Sequence, residues 1–249
     1  MTQSEDIDSI LTSWPFQPGV ITARIVHAGD GREVLQMRIE LGVLQMESTG
    51  RPDGEQPHGQ PTYLEYLREQ ARELRDKFSL GEEQSNEVDR EFLQYYHRRI
   101  CWLALRQFGR AVEDAEHTLA LMDFVVRHSS DQEWTLSHEQ YRPFVLFHRT
   151  QAAALAQLDE GGPEPAIEEI DRGLEQIREV FRAVEAEEHF DEDEFVKQLA
   201  ELRDWIRQHY HVDRTLSEQL AEAVALEQYE LAARLRDEMA RRRSRESRS

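Results

Sequence analysis

The first sixty residues carry a pattern of apolar and polar positions that is typical of strands. Residues 20–27 (VITARIVH) are rich in β-branched side chains, and residues 33–46 (EVLQMRIELGVLQM) alternate apolar and polar positions imperfectly. Between them, residues 28–31 (AGDG) suit a tight turn, because glycine adopts positive φ angles without steric strain. The pattern predicts a β-hairpin whose second arm bends at Gly42 or becomes helical beyond it. The glycines and prolines of residues 48–61 indicate a loop.

From Thr62 onward the apolar residues recur every three or four positions, which is the period of an amphipathic helix. The pattern predicts helices over residues 62–78, 83–108, 110–128, 136–158, 167–184 and 191–210. Gly81 and Gly109 are expected to end the first two, and Asp191 is the expected N-cap of the last. The middle of the chain, residues 61–211, is therefore predicted to be a helical domain.

Two segments of this helical block resemble each other. Residues 97–122 and 148–177 each combine a helix rich in alanine and aromatic residues, a turn, and a helix that opens with alanine, an aliphatic residue and two acidic residues. The aligned positions are His97 with His148 and Ala111 with Ala166. The arrangement looks like the helical hairpins of tetratricopeptide repeats, although the spacing of 51 to 55 residues departs from that family's period of about 34. We expect stacked helical hairpins, with an irregular helical bundle as the alternative.

The C-terminal residues 212–243 carry the signals of a further helical hairpin. Thr215 and Glu218 have the spacing of a capping box, which marks the start of a helix. The predicted inner face of this helix carries Leu216, Leu220, Ala223 and Val224. The predicted seam of the second helix carries Tyr229, Ala232, Ala233, Arg236 and Ala240, with Leu235 and Met239 on a flanking face. So short a pair of helices has little core, and we expect it to dock on another helical hairpin.

A family resemblance rests on this segment. Its motif residues are Leu220, Ala223, Val224, Glu227, Gln228, Tyr229, Glu230, Ala232, Ala233, Leu235, Arg236, Asp237 and Met239. They resemble the UVR motif of the bacterial excinuclease subunits B and C, of the activator of protein arginine kinase, and of some Clp chaperone ATPases. The resemblance implies a helical hairpin that binds other proteins, often another UVR hairpin. It covers about 30 of the 249 residues and therefore identifies a module rather than the whole protein.

The rest of the chain lacks the catalytic parts of those families. The single cysteine, Cys101, excludes the CxxC zinc pairs of the kinase activator, and the sequence contains no GxxxxGK[ST] phosphate-binding loop of the excinuclease B type. We expect no enzymatic activity, catalytic residue, metal or cofactor. The residues expected to bind a partner protein are Leu220, Val224, Tyr229, Glu230, Ala232, Ala233, Leu235, Arg236, Asp237 and Met239. Tyr229 and Met239 would supply apolar contacts, whereas Arg236 would fix the orientation.

Charge and composition limit the kinds of partner and the cellular location that we expect. The net charge of −20 disfavours nucleic acid and acidic membranes as direct partners. The charge is uneven, since residues 185–194 hold seven acidic residues and residues 241–249 hold five arginines. No run approaches the roughly 20 apolar residues of a membrane span, and the acidic N-terminus lacks the features of a signal peptide. These observations predict a cytoplasmic protein with a basic, disordered tail at residues 244–249.

Other candidate sites have simpler interpretations. His138 and Glu139 begin an HExxH pattern, but Arg142 occupies the place of the second histidine. Acid and histidine pairs four residues apart on helices occur at Glu113 with His117 and at Glu185 with His189. We interpret these pairs as solvated faces. Cys101 is predicted to be buried, and residues 51–54 (RPDG) to form a turn, with a binding loop as the alternative.

The sequence therefore predicts a mainly α protein in four parts: an N-terminal β-hairpin and loop (1–60), a helical repeat-like domain (61–211), a UVR hairpin (212–243) and a tail. Its expected role is that of an adaptor whose partner is another UVR-containing protein or a second copy of itself. One alternative is an accessory factor of nucleotide excision repair that docks on an excinuclease subunit. A regulator of a Clp chaperone–protease or of protein arginine kinase is another.

Overall fold

The computed structural model describes the backbone of residues 6–246 and the side chains of residues 6–75 and 77–241. Over this range the protein is mainly helical, with one small antiparallel sheet. The strands are β1 (Thr22–His27), β2 (Glu33–Ile39) and β3 (Gly42–Glu47). The helices are α1 (Asp8–Ser13), α2 (Tyr63–Leu74), α3 (Glu82–Ala104), α4 (Phe108–His128), α5 (Gln132–Glu139), α6 (Arg142–Glu160), α7 (Pro163–Ala183), α8 (Glu194–Tyr210), α9 (Leu216–Ala225) and α10 (Tyr229–Glu246). None of these helices is both long and apolar enough to cross a membrane.

The predicted β-hairpin is the first part of a three-stranded sheet. The strand order is β1–β2–β3, and Thr22 of β1 lies opposite Arg38 of β2. The second predicted arm splits at Glu40 and Leu41, because the chain reverses there and Ile39 pairs with Gly42. Each new strand restarts the apolar alternation, which explains why the run 33–46 alternates imperfectly.

The boundary between α3 and α4 differs from the prediction. Helix α3 ends at Ala104 rather than at Phe108, and Phe108 is instead the buried first residue of α4. Arg106 adopts a left-handed conformation (φ 56°), and the Gln107 N–H donates to the Trp102 carbonyl at 2.8 Å. This C-cap ends the helix five residues before Gly109, which lies inside the first turn of α4.

Two further predicted boundaries are wrong. The single helix predicted over residues 136–158 is two helices, α5 and α6, and the break falls just before Pro143, whose missing N–H is tolerated only in a first helical turn. Asp193 caps α8, since its Oδ1 accepts from the N–H groups of Phe195 (2.9 Å) and Val196 (3.1 Å). The predicted cap, Asp191, lies in a short 3₁₀ segment before it.

The chain forms two compact units, and the division falls within α6, between Val145 and Leu146. In the first unit, α3 packs against α4, and apolar side chains of α2, α3 and α4 form a core cluster. In the second unit, α7 packs against α8, and α9 packs against α10. The two similar segments of the sequence lie on helical pairs, residues 97–122 on α3 and α4 and residues 148–177 on α6 and α7.

Candidate protein-binding hairpin

The hairpin begins at a capping box, as the sequence predicts. The Thr215 hydroxyl accepts from the Glu218 N–H at 3.2 Å, and Glu218 Oε2 accepts from the Thr215 N–H at 2.8 Å. These bonds satisfy backbone donors that the first turn of α9 would otherwise leave open. Helix α9 therefore starts at Leu216, and its neighbour Thr215 is fully buried.

A tight turn reverses the chain between α9 and α10. Glu227 adopts a left-handed conformation (φ 56°), and the Gln228 N–H donates to the Ala223 carbonyl at 2.8 Å. This is the C-cap arrangement that usually contains glycine, because a Cβ atom is disfavoured at positive φ. Tyr229 follows at once as the first residue of α10. The turn thus projects at the end of the hairpin that lies away from Thr215.

The core of the hairpin is small and differs in part from the predicted seam. Its buried members are Leu216, Ala223, Ala232 and Leu235, and Leu220 and Met239 pack against them. Leu235 and Met239, predicted on a flanking face, thus lie in the seam, whereas Tyr229 and Ala233 lie outside it. The predicted position of Val224 on the inner face of α9 is wrong, since its side chain is exposed. Periodicity alone permits both faces of α10, and burial of the larger side chains of Leu235 and Met239 selects the observed one.

The structure divides the ten predicted partner-binding residues into two groups. Leu220, Ala232, Leu235 and Met239 are buried or half-buried in the hairpin core. Val224, Tyr229, Glu230, Ala233, Arg236 and Asp237 are exposed. Only the second group has fully exposed side chains, and the first group holds the two helices together. Arg236 and Asp237 interact with each other, their side-chain N and O atoms 3.3 Å apart.

Four large apolar side chains project from the turn end of the hairpin, and we call them the tip surface. Their exposed fractions are 53% for Val224, 60% for Leu226, 68% for Tyr229 and 44% for Leu231. Leu226 and Leu231 are not among the residues predicted from the sequence to bind a partner. Their signal was present, since both flank the turn and neither fits the apolar period of its helix. An apolar cluster on so small a module is typical of a binding surface.

Helix α8 fastens the base of the hairpin. Arg207 forms an ion pair with Glu218, and its Nη1 also donates to the Asp213 carbonyl at 2.9 Å. Partial burial acts to raise the pKa of Glu218, but hydrogen bonds from Arg207 and from the Thr215 N–H outweigh it and hold the pKa below its ordinary value. Glu218 is therefore ionised at neutral pH and joins the hairpin to the rest of its unit.

The other residues considered from sequence have structural partners. Cys101 is buried, and burial raises the pKa of its thiol to about 12, which leaves little reactive thiolate at neutral pH. His117 Nε2 lies 2.9 Å from Glu91 Oε1 rather than on a metal with Glu113. His189 lies 3.7 Å from Glu192. Among the side chains that the structure describes, no three histidine, cysteine or acidic groups are placed to hold a metal ion.

The loop at residues 48–61 is packed firmly on α3. Arg51 is buried, and its guanidinium lies 2.7 Å from a Glu87 carboxylate oxygen and 3.2 Å from that of Asp53. The Tyr95 hydroxyl donates to the Gly50 carbonyl at 3.1 Å. Arg51 is thus occupied inside the protein, which favours a structural role for this turn over a binding role.

Comparison with protein families gives one match. Residues 214–243 match the UVR family, whose description is "UvrB/uvrC motif". The matched range begins one residue before the capping box and contains all of α9 and the turn. No curated protein and no solved structure matches the chain. The hairpin is therefore a UVR hairpin by sequence.

Proposed function

We propose that this protein is a non-enzymatic cytoplasmic adaptor that binds a partner protein through its C-terminal UVR hairpin. The helical middle would act as the scaffold that carries the hairpin. The observation that supports this most directly is the tip surface: the hairpin buries only a small core and leaves four large apolar side chains in solvent. Covering such side chains with a partner removes apolar area from water and stabilises the complex.

The outward face of α10 gives the proposal its sharpest test. Ala233 is exposed, whereas its neighbour Ala232 is buried in the hairpin core. A glutamate at position 233 adds a bulkier side chain to the outward face of α10, which keeps a partner's helix from close approach, and leaves the core untouched. We expect Ala233→Glu to abolish capture of the partner proteins that the full chain retains from a cell lysate.

The matched control is Ala183→Glu, the same substitution at an exposed position near the end of α7. It should leave capture unchanged, and circular dichroism should show both variants folded. If Ala233→Glu and Tyr229→Ala capture the same partners as the unaltered chain, the hairpin is not the binding module and the proposal is wrong.

A second candidate function follows from the matched family, whose description names UvrB and UvrC. In it, the hairpin would dock on an excinuclease subunit during nucleotide excision repair. Co-purification with such a subunit, lost in Ala233→Glu, would support this role. Salt-dependent DNA binding that requires residues 241–249 would add to it, because arginines bind phosphates mainly through charge. An adaptor without a role in repair is expected to bind neither an excinuclease subunit nor DNA.

A further inference from the structure

A groove runs beside the hairpin within the second unit. It has a volume of about 790 Å³ and lies between the connection from α8 to α9 and the turn end of the hairpin. Tyr210, Val212, Leu226 and Leu231 supply much of its apolar wall. Tyr210, Leu226 and Leu231 are each at least 44% exposed, so the described residues leave this wall uncovered.

An adjoining depression extends the groove over the tip surface. Gln228 and Leu231 line both, which makes the two continuous. The depression has a volume of about 470 Å³, and Tyr229 lies in its wall between Glu227 and Glu230. Together they form an open surface that a peptide segment could cover, rather than an enclosed cavity for a small molecule.

The charges along this surface are mostly negative and in part unpaired. Asp213 lies in the groove, and Glu227 and Glu230 lie in the depression. Within the described part of the chain, none of these three carboxylates has a cation within ion-pair distance, although Arg234 follows Glu230 by one helical turn. By contrast, Glu222 in the same groove is paired with Arg214.

The geometry points to a partner segment that carries lysine or arginine side chains beside large apolar ones. Its apolar side chains would pack on Tyr210, Leu226 and Leu231, and its cations would face Asp213, Glu227 and Glu230. Such charge complementarity selects the partner and speeds association. Phosphate-bearing partners are disfavoured, because these carboxylates repel them. This inference rests on the proposed adaptor function and names the chemistry of the partner.

Three synthetic amphipathic peptides test the proposal with the full chain. They share length and a leucine face, and their polar positions are all lysine, all glutamine or all glutamate. We expect the lysine peptide to bind at least about tenfold more tightly than the glutamine peptide by fluorescence anisotropy, and the glutamate peptide to bind least. The preference should fall as salt is added, because salt screens exposed charges. Equal binding of the lysine and glutamine peptides would overturn the proposal.

A triple variant, Asp213→Asn, Glu227→Gln and Glu230→Gln, locates the effect. We expect it to bind the lysine peptide about tenfold more weakly and the glutamine peptide as before. The control, Glu179→Gln, Glu188→Gln and Glu201→Gln, removes the same charge from exposed positions elsewhere in the unit and should bind like the unaltered chain. An equal loss in both variants would show that only the net charge of −20 acts, and would sink the inference.

The two proposals fail in different ways. If Ala233→Glu abolishes capture of cellular partners while the triple variant retains them at all salt concentrations, the adaptor role stands and the cationic partner is wrong. If Ala233→Glu and Tyr229→Ala both leave capture intact, the adaptor role itself is wrong. Leu226→Ser tests the apolar contribution apart from the charges. It should weaken the binding of the lysine peptide and of the glutamine peptide to the same degree.

Discussion

The α3/α4 pair and the α6/α7 pair are built from similar sequence but hold their helices together differently. The alignment of His97 with His148 and of Ala111 with Ala166 places Arg98 over Arg149 and Asp114 over Glu169. In each pair the structure joins these residues across the two helices. The internal similarity therefore extends from sequence to a shared ion pair.

The two ion pairs differ in geometry and burial. Arg98 and Asp114 are both buried, and Arg98 Nη2 and Asp114 Oδ1 lie 2.7 Å apart. Arg149 and Glu169 keep nearly a fifth of each side chain exposed, and their closest N and O atoms are 3.7 Å apart. A buried, closely bonded pair is costly to break, because the remaining charge loses its partner in a poorly solvated site.

The residues that follow the two arginines also contact the neighbouring helix in different ways. In the first pair the Arg99 guanidinium donates to the Thr118 hydroxyl at 2.9 Å. Burial lowers the pKa of Arg99 to about 10, which still leaves it charged at neutral pH. In the second pair the corresponding residues are Thr150 and Gly173, and a Cβ atom added at Gly173 would clash with the Thr150 side chain. At these aligned positions the first pair thus has a polar bond between its helices, and the second has a close contact between Thr150 and Gly173.

The largest expected loss of stability comes from breaking the buried ion pair between Arg98 and Asp114. Asp114→Ala leaves Arg98 buried without its carboxylate, and we expect the free energy of unfolding of the first unit to fall by about 3–5 kcal/mol. Urea denaturation measures this loss. Glu113→Ala, at the exposed position beside it, should change the value by less than about 0.5 kcal/mol. A loss below about 1 kcal/mol for Asp114→Ala would show that the pair does not hold α3 to α4.

The next largest change in stability is expected at Gly173 of the α6/α7 pair. Gly173→Ala forces Thr150 and α7 apart, so it should destabilise the protein by about 1–3 kcal/mol. Its control is Gly109→Ala in the first turn of α4, where an added Cβ meets no heavy atom within 4 Å. That change should be neutral or stabilise by up to about 1 kcal/mol, because alanine favours helix. Thermal unfolding of both variants compares them, and equal effects would contradict the close contact.

The half-buried ion pair of Arg149 and Glu169 gives the smallest expected change in stability. Glu169→Gln removes the carboxylate that pairs with Arg149 and also with Arg172. Because these side chains are partly solvated, we expect a loss of about 1 kcal/mol or less in the free energy of unfolding. The loss should shrink further in high salt. If Glu169→Gln costs as much as Asp114→Ala, the two helical pairs are equivalent and the difference in burial has no energetic meaning.

The sequence predicts some features of the hairpin and not others, for identifiable reasons. The capping box was predictable because Thr215 and Glu218 interact over three residues. The end of α3 was not predictable, because the left-handed C-cap residue is Arg106, which no local pattern distinguishes. Gly109, the usual type of C-cap residue, indicated a later end. The ion pair between Arg207 and Glu218 depends on how α8 meets α9, which periodicity within each helix does not determine.

The faces of the C-terminal helices show the same limit. Alanines on adjacent positions of α10 satisfy two helical stripes equally well, so Ala232 and Ala233 were both assigned to one seam. The structure buries Ala232 and exposes Ala233, because Leu235 and Met239 determine which stripe packs on α9. The tip surface was partly predicted through Val224 and Tyr229, and the domain boundaries of the sequence analysis remain predictions.

Glu218 takes part both in starting α9 and in attaching the hairpin to α8. One oxygen closes the first turn of α9, and the carboxylate also pairs with Arg207 of the preceding helix. A substitution at this position that removes the side-chain oxygen therefore alters both how the helix begins and how the module is attached. Arg207→Gln separates the two, since it releases the attachment and leaves the initiating turn intact. Grafting the module onto another protein would accordingly require transfer of Arg207 together with the hairpin.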